Sequence, residues 1–173
     1  SPTMQYQGEE CLVQALQNAA EANVWGIQAA VDSRFARYFY VKANVNWQRG
    51  FEELDNGQVS PSRHVAPLFG RASIGFDNRK LQAEVYTAFQ AECDAASMPE
   101  EEKGKTEIYA KDANGNPYSP GWITLNMRLS YLILKGLHLH ATLENLTDLR
   151  YRPYSSGISA PGRNITFSLT YNL

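Results

Sequence analysis

The chain has 173 residues, with Lys+Arg 16 against Asp+Glu 18 and a net charge of −2. That length suits one domain or a piece of one, and the charge leaves no basic field to recruit nucleic acid. The longest apolar runs, such as Tyr131-Leu132-Ile133-Leu134, fall far short of the roughly 20 residues a membrane helix needs. A helical span is excluded, but a transmembrane β-barrel is not, because its strands alternate and look polar on average.

Taken in chain order, the opening Ser1-Pro2-Thr3-Met4 reads as a mature or truncated chain rather than a native start. Residues 9–18 are rich in helix formers and suit either an amphipathic helix or an eighth strand. From there a period of two takes over. Trp25, Ile27, Ala29 and Val31 alternate with Gln28 and Asp32; Phe39, Val41, Ala43, Val45 and Trp47 alternate with Tyr40, Lys42, Asn44 and Asn46. Residues 66–76 carry a weaker copy, and Leu81, Ala83, Val85, Thr87 and Phe89 face Gln82, Glu84 and Tyr86. Ile123 to Tyr131 and Leu137 to Leu143 repeat the pattern, and it is cleanest over Ile165, Phe167, Leu169, Tyr171 and Leu173. Such alternation marks strands with one apolar and one wet face, and seven are readable.

The connections are sorted. Short turns fall at 34–37, 77–80 and 134–136, and long polar loops at about 51–65, 93–120 and 147–161. Short turns at one end and long loops at the other are the habit of membrane barrels. Trp25, Trp47 and Phe89 fall at the loop end of their strands, and Phe39, Phe76, Tyr131 and Tyr171 at the turn end. All seven share the apolar parity, as two interfacial girdles would. Lys42, Arg71, Glu84, Arg128, His138, His140 and Glu144 all share the opposite parity, which in a barrel lines the lumen. No charge interrupts the apolar parity inside these strands, where it would cost about 2–4 kcal/mol facing mid-depth lipid.

Site chemistry is sparse. His138 and His140 share a strand face without an evident third ligand, so no metal site is expected. Asp112-Ala-Asn114-Gly115-Asn116 begins like a calcium loop, but Pro117 stands where glycine is required, so it reads as a turn. Glu100, Glu101 and Glu102, followed by Lys103 and Lys105, read as a solvated loop tip. Cys11 and Cys93 read as two free thiols, with a single bridge left open. No nucleophile–base pair or phosphate loop is visible, so neither an enzyme nor a cofactor is expected. Ligand contacts, if present, belong on the long loops, where His64, Tyr109, Tyr118, Tyr151 and Tyr154 are the candidates for stacking on a small ligand.

The segment from Asn145, Leu146 and Asp148 through Tyr151, followed by Pro161-Gly162-Arg163 before the final strand, resembles the C-terminal end of TonB-dependent outer-membrane receptors. Asn18-Ala-Ala-Glu-Ala-Asn-Val-Trp-Gly26-Ile27, with Gln28 where the family usually has Glu, and His64-Val65-Ala66-Pro67 are further likenesses. One departure is the end of the chain, Leu173 with Tyr171 two before it, where the family usually has an aromatic. The resemblance implies an all-β fold: an antiparallel transmembrane β-barrel, of which residues 1–173 would supply about the last 7–8 strands of about 22. It implies a plug domain outside this segment, location in the bacterial outer membrane, and import of a scarce nutrient. A ferric siderophore or haem is the first expectation, then cobalamin or a glycan. The expected partners are the rest of the barrel, the plug, TonB, membrane lipid and the small nutrient ligand. A small free-standing barrel with a structural or adhesive role, and a soluble β-barrel or sandwich that binds a ligand, are the rival expectations.

Overall fold

A computed structural model describes residues 3–12, 21–54 and 56–172. Two short strands open it, β1 (Thr3–Tyr6) and β2 (Glu9–Leu12), paired with each other as a hairpin around Gln7 and Gly8. Of the expected eighth element over 9–18, the described part, Glu9–Leu12, is a strand, and it pairs with β1. The rest of that segment lies outside the described residues, as does Leu173.

The main sheet contains β3 (Ala22–Phe35), β4 (Phe39–Glu53), β6 (Phe69–Asp77), β7 (Leu81–Gln90), β10 (Trp122–Leu134), β11 (Leu137–Glu144) and β12 (Asn164–Tyr171). These are the seven strands expected from alternation, most of them extended by a few residues. Their spatial order follows chain order, and every neighbouring pair is antiparallel. A short strand, β5 (Val59–Pro61), adds to the loop end of β4. Within the loop between β7 and β10 lie a four-residue helix, α1 (Glu100–Lys103), and a small hairpin of β8 (Ala110–Lys111) and β9 (Pro117–Tyr118). Because the strands alternate in direction, the three short turns fall at one end of the sheet and the three long connections at the other.

Register turns the sequence pattern into rows. Val41, Ile74, Val85, Met127, Leu143 and Ile165 stand side by side across six strands. One residue along, Asp32, Lys42, Ser73, Tyr86 and Asn126 form the neighbouring row. Strand side chains alternate faces, so these rows lie on opposite sides of the sheet. The burial is the reverse of a soluble core. In the middle strands Ile74, Val85, Ile123 and Leu125 are exposed (52%, 42%, 61% and 43%), while Ser73, Tyr86, Thr124 and Asn126 are buried (8%, 7%, 3% and 5%).

Close cross-strand packing sustains the rows. On the polar face the ring of Tyr40 lies across Gly75, leaving no room for a Cβ: one built there would meet Tyr40 Cζ at 2.1 Å. On the apolar face Trp25 meets Trp47 edge-on at 5.0 Å and Phe39 meets Phe76 at 5.2 Å, one pair near each end of the sheet, in the edge-to-face arrangement aromatic rings prefer.

Candidate functional site

The three long loops meet above the sheet and enclose a small core of their own. Met98 is fully buried, and Cys93, Tyr109 and Tyr154 are nearly so. The Glu100–Glu102 run departs from expectation here. Glu102 is only 2% exposed; it accepts the Tyr109 hydroxyl at 2.5 Å and pairs with the Lys105 ammonium. The acidic run is not uniformly solvated because α1 turns one of its three carboxylates inward, where a phenol and an ammonium compensate its lost hydration. Burial pushes that carboxyl upward, but the hydrogen bonds from Lys105 and Tyr109 outweigh it and leave Glu102 below its ordinary value. Burial likewise raises Tyr109, helped by the Glu102 carboxylate, and raises Tyr154 and the Cys93 thiol, the last to about 11.

Hydrogen bonds tie the loops to one another and to the sheet. The Tyr154 N–H donates to Gln90 Oε1 at 3.2 Å, and the Glu100 N–H to Ser60 Oγ at 3.2 Å. Arg63 bridges Glu52 and Glu101, and Arg152 donates to the carbonyls of Glu107 and Ile108. His64, with φ of 60°, holds its Nδ1 3.0 Å from Ser155 Oγ. Three of the predicted loop residues, His64, Tyr109 and Tyr154, therefore converge on this cluster. Tyr151 instead lies tilted by 35° against Trp122 with ring centres 4.3 Å apart, and Tyr118 sits in the β8–β9 hairpin.

Between the β7–β10 loop and the β11–β12 loop, Trp122, Tyr151, Tyr109, Leu149, Arg150 and Arg152 line a cavity of about 370 Å³. Its paired rings and guanidinium groups suit a flat ligand with negative charge. Trp122 and the two arginines were not among the sequence candidates. Arg150 and Arg152 alternate with Tyr151 in the sequence, a signal that would have singled them out.

The Asn145–Arg163 motif has a structural role that its local geometry explains. Asn145 is 3% exposed. Its N–H donates to Asn126 Oδ1, its Nδ2 to the carbonyls of Leu149 and Pro161, and its Oδ1 accepts the Leu149 N–H. Leu146 donates to the Leu125 carbonyl. Asp148 accepts the Arg163 N–H at 2.7 Å, and a Cβ on Gly162 would meet Asp148 Oδ1 at 2.7 Å. The start of the last long loop is thus clamped to the sheet and its end is clamped to its start, with Asn145 and Asp148 in left-handed backbone conformations (φ 50° and 54°) that these residue types tolerate.

Along the polar face, Lys42, Arg71, Glu84, Arg128, His138, His140 and Glu144 stand on one side of the sheet. Lys42 pairs with Asp32 at 3.0 Å and Arg71 with Glu84 at 3.0 Å. The rings of His138 and His140 stack 6.0 Å apart near the turn end. Among the described residues no group of three or more His, Cys, Asp or Glu could hold a metal ion. The Asp112 segment is a capped turn, in which Asp112 Oδ1 accepts the N–H groups of Asn114 and Asn116. Cys11 and Cys93 are both free.

No family model matches the sequence, and no curated protein matches it. The fold does match solved structures. The copper transporter OprC aligns with a TM-score of 0.66 and 16% identity, over 87% of this chain and 23% of its own. The FrpB iron transporter from Neisseria meningitidis (F3-3 variant) aligns at 0.65 and 14%, over 89% and 24%. The siderophore receptor PiuA from Acinetobacter baumannii aligns at 0.58 and 13%, over 87% and 22%. These are TonB-dependent receptors, and the chain spans under a quarter of the length of these three. The fold is that of an antiparallel segment of their barrel wall.

Proposed function

We propose that this chain is part of the wall and outer rim of an outer-membrane receptor that imports a scarce nutrient. The observation that carries the reading is the inverted burial of the middle strands, with isoleucine and valine exposed and serine, threonine and asparagine buried beside them. In water such a surface invites aggregation; against lipid, with the polar face turned to a lumen, it is the stable arrangement. The likeness to barrels of copper, iron and siderophore proteins supports the same reading. By the sequence resemblance around Asn145–Arg163, the substrate is a ferric siderophore or haem before cobalamin or a glycan, uptake is driven through TonB, and the lumen is filled by a plug domain.

The edges of the sheet argue for a larger barrel. Among the described residues, β3 and β12 each have a single neighbour and do not pair with each other. An open strand edge is a pairing template, and the remainder of a barrel is the partner that satisfies both edges. The loop cavity lined by Trp122, Tyr151, Arg150 and Arg152 is the first point of ligand contact, and His64, Tyr109 and Tyr154 hold the rim in shape beneath it.

An immunoblot of native outer membranes with antibody raised against this chain tests the reading. The expected band is several times heavier than 19.4 kDa. A band at the chain's own mass would overturn the transporter reading in favour of a small free-standing barrel, and a band confined to the soluble fraction would favour a soluble binder.

A further inference from the structure

We infer that Arg49 and Arg163 are lipid-facing anchors, each holding the phosphate of an outer-leaflet membrane lipid just outside the aromatic girdle at the loop end. The inference rests on the outer-membrane reading and adds to it a headgroup contact at two named residues.

Both arginines stand on the apolar parity. β4 runs on to Glu53, past the stretch legible from alternation, and register sets Arg49 opposite Trp25 and two residues beyond Trp47. Trp25 and Trp47 meet edge-on, and Arg49 lies about 7 Å along the strand outside Trp47. Arg163 immediately precedes β12, two residues before Ile165 on the same face. Both residues are exposed, and among the described residues neither makes an ion pair. Asp148 accepts the Arg163 backbone N–H and not its guanidinium. Asp94, an acid within electrostatic reach of Arg49, accepts the Ser97 N–H at 2.8 Å. Glu92 shares a cleft with Arg49 without pairing with it. The next charge on the apolar parity of β4, Glu53, lies about 13 Å further out along the strand, beside β5.

Register also puts the two arginines at one depth. Val41 and Ile165 belong to a single row across six strands. Arg49 lies eight residues loopward of Val41 and Arg163 two residues loopward of Ile165, a slip of six. Barrel strands tilt, so a line of constant depth must slip along the register from strand to strand. Six residues of about 3.3 Å over five strand steps of about 4.8 Å correspond to a tilt of about 40°, inside the range of membrane barrels. The aromatic line at the turn end slips the same way: Phe39 lies two residues turnward of Val41, and Tyr171 six turnward of Ile165. The arginines therefore follow the girdle and stand just outside it, more than about 20 Å apart across the sheet, so each holds a lipid of its own. A guanidinium is costly against hydrocarbon. At headgroup level it meets phosphates, which accept its paired N–H donors. In the proposed barrel the missing strands pair with the sheet edges and the plug lies on the polar face, so neither covers this one.

The test takes the whole receptor in a mild detergent and counts bound lipid by native mass spectrometry, with diphosphoryl lipid A as the probe. Arg49→Gln and Arg163→Gln should each weaken one site by about fivefold, the scale of one basic residue at an anionic membrane surface. That loss reads as one bound copy fewer at the concentration that just fills the native receptor, and the double variant should show two fewer. Arg49→Lys and Arg163→Lys should keep most of the binding, and Arg79→Gln, at the turn end, should change nothing. Dephosphorylated lipid A should bind native and variant receptors alike, and inorganic phosphate should not displace the phosphorylated lipid. Equal binding of the two lipids by the native receptor would leave apolar contact alone and overturn the inference, whether or not any variant assembles. Undiminished binding by the double variant would mean that protein carboxylates already hold both guanidinium groups, and displacement by inorganic phosphate would mean a free-anion site; either overturns it too. Each of these results leaves the import reading standing, whereas absence of the chain from the outer membrane would remove that reading itself.

Discussion

The sheet and the loop cluster bury opposite things. In the sheet, Val85 and Ile123 are exposed beside buried Tyr86 and Thr124; in the loops, Met98, Tyr109 and Tyr154 are buried in an ordinary way. One chain therefore answers two solvents. In the proposed barrel the strands place their apolar rows against a medium that cannot hydrogen-bond, and the loops above them exclude water as a small soluble domain does. A substitution should have consequences set by which of the two regimes it enters.

The largest expected effect is in the loops. Met98→Ala removes the fully buried side chain and should loosen the cluster by about 2–5 kcal/mol. Limited proteolysis should then open the β7–β10 loop while the strands stay protected; loss of both together would mean that the two regions are one cooperative unit. Val85→Arg, in the middle of the apolar row, should cost about 2–4 kcal/mol of membrane stability, against less than 1 for Ser73→Ala on the other face. Equal costs in a detergent or lipid unfolding titration would contradict the assignment of faces. Asn145→Ala removes three side-chain hydrogen bonds of a buried residue and should destabilise the last loop by about 1–3 kcal/mol, with hydrogen exchange rising first at Leu149 and Asn145.

A smaller effect depends on pH. Glu102 lies below its ordinary value of 4.5 in the folded chain. Its contribution is therefore complete above about pH 4.5 and is lost as the pH falls through the folded value. Proteolysis of the β7–β10 loop should accelerate on acidification through that window, and Glu102→Gln should flatten the dependence. Smallest is the thiol. Cys93, 4% exposed and with its thiol raised to about 11 by burial, should resist iodoacetamide at pH 8 until the loops unfold.

What the sequence made legible follows the same division. Seven strands could be read because each exposes every second residue to a different medium, and a period of two survives in the string of letters. The loops could not be read in that way. Glu102 meets Tyr109 through a single turn of helix, but Gln90 meets Tyr154 across 64 positions and Arg152 meets Glu107 across 45, and no local pattern encodes such partners. For the same reason Tyr109 and Tyr154 looked like free loop tyrosines. The Asn145 motif was recognisable by resemblance alone; that its amide closes a loop became clear only with the carbonyls of Leu149 and Pro161 beside it.

The nearest-neighbour order of the main sheet also bears on how the wall is built. Three hairpins, β3–β4, β6–β7 and β10–β11, are each closed by a short turn, so each can form locally at little entropic cost. What must be supplied afterwards is the joining of one hairpin to the next across a long connection. Strand pairing of β4 with β6 and of β7 with β10 performs that joining, and the loops reinforce it: Arg63 and Ser60 hold the β4–β6 loop to α1, and Gln90 holds Tyr154. The loop rim is thereby also a place where successive hairpins are held together beyond their strand pairing.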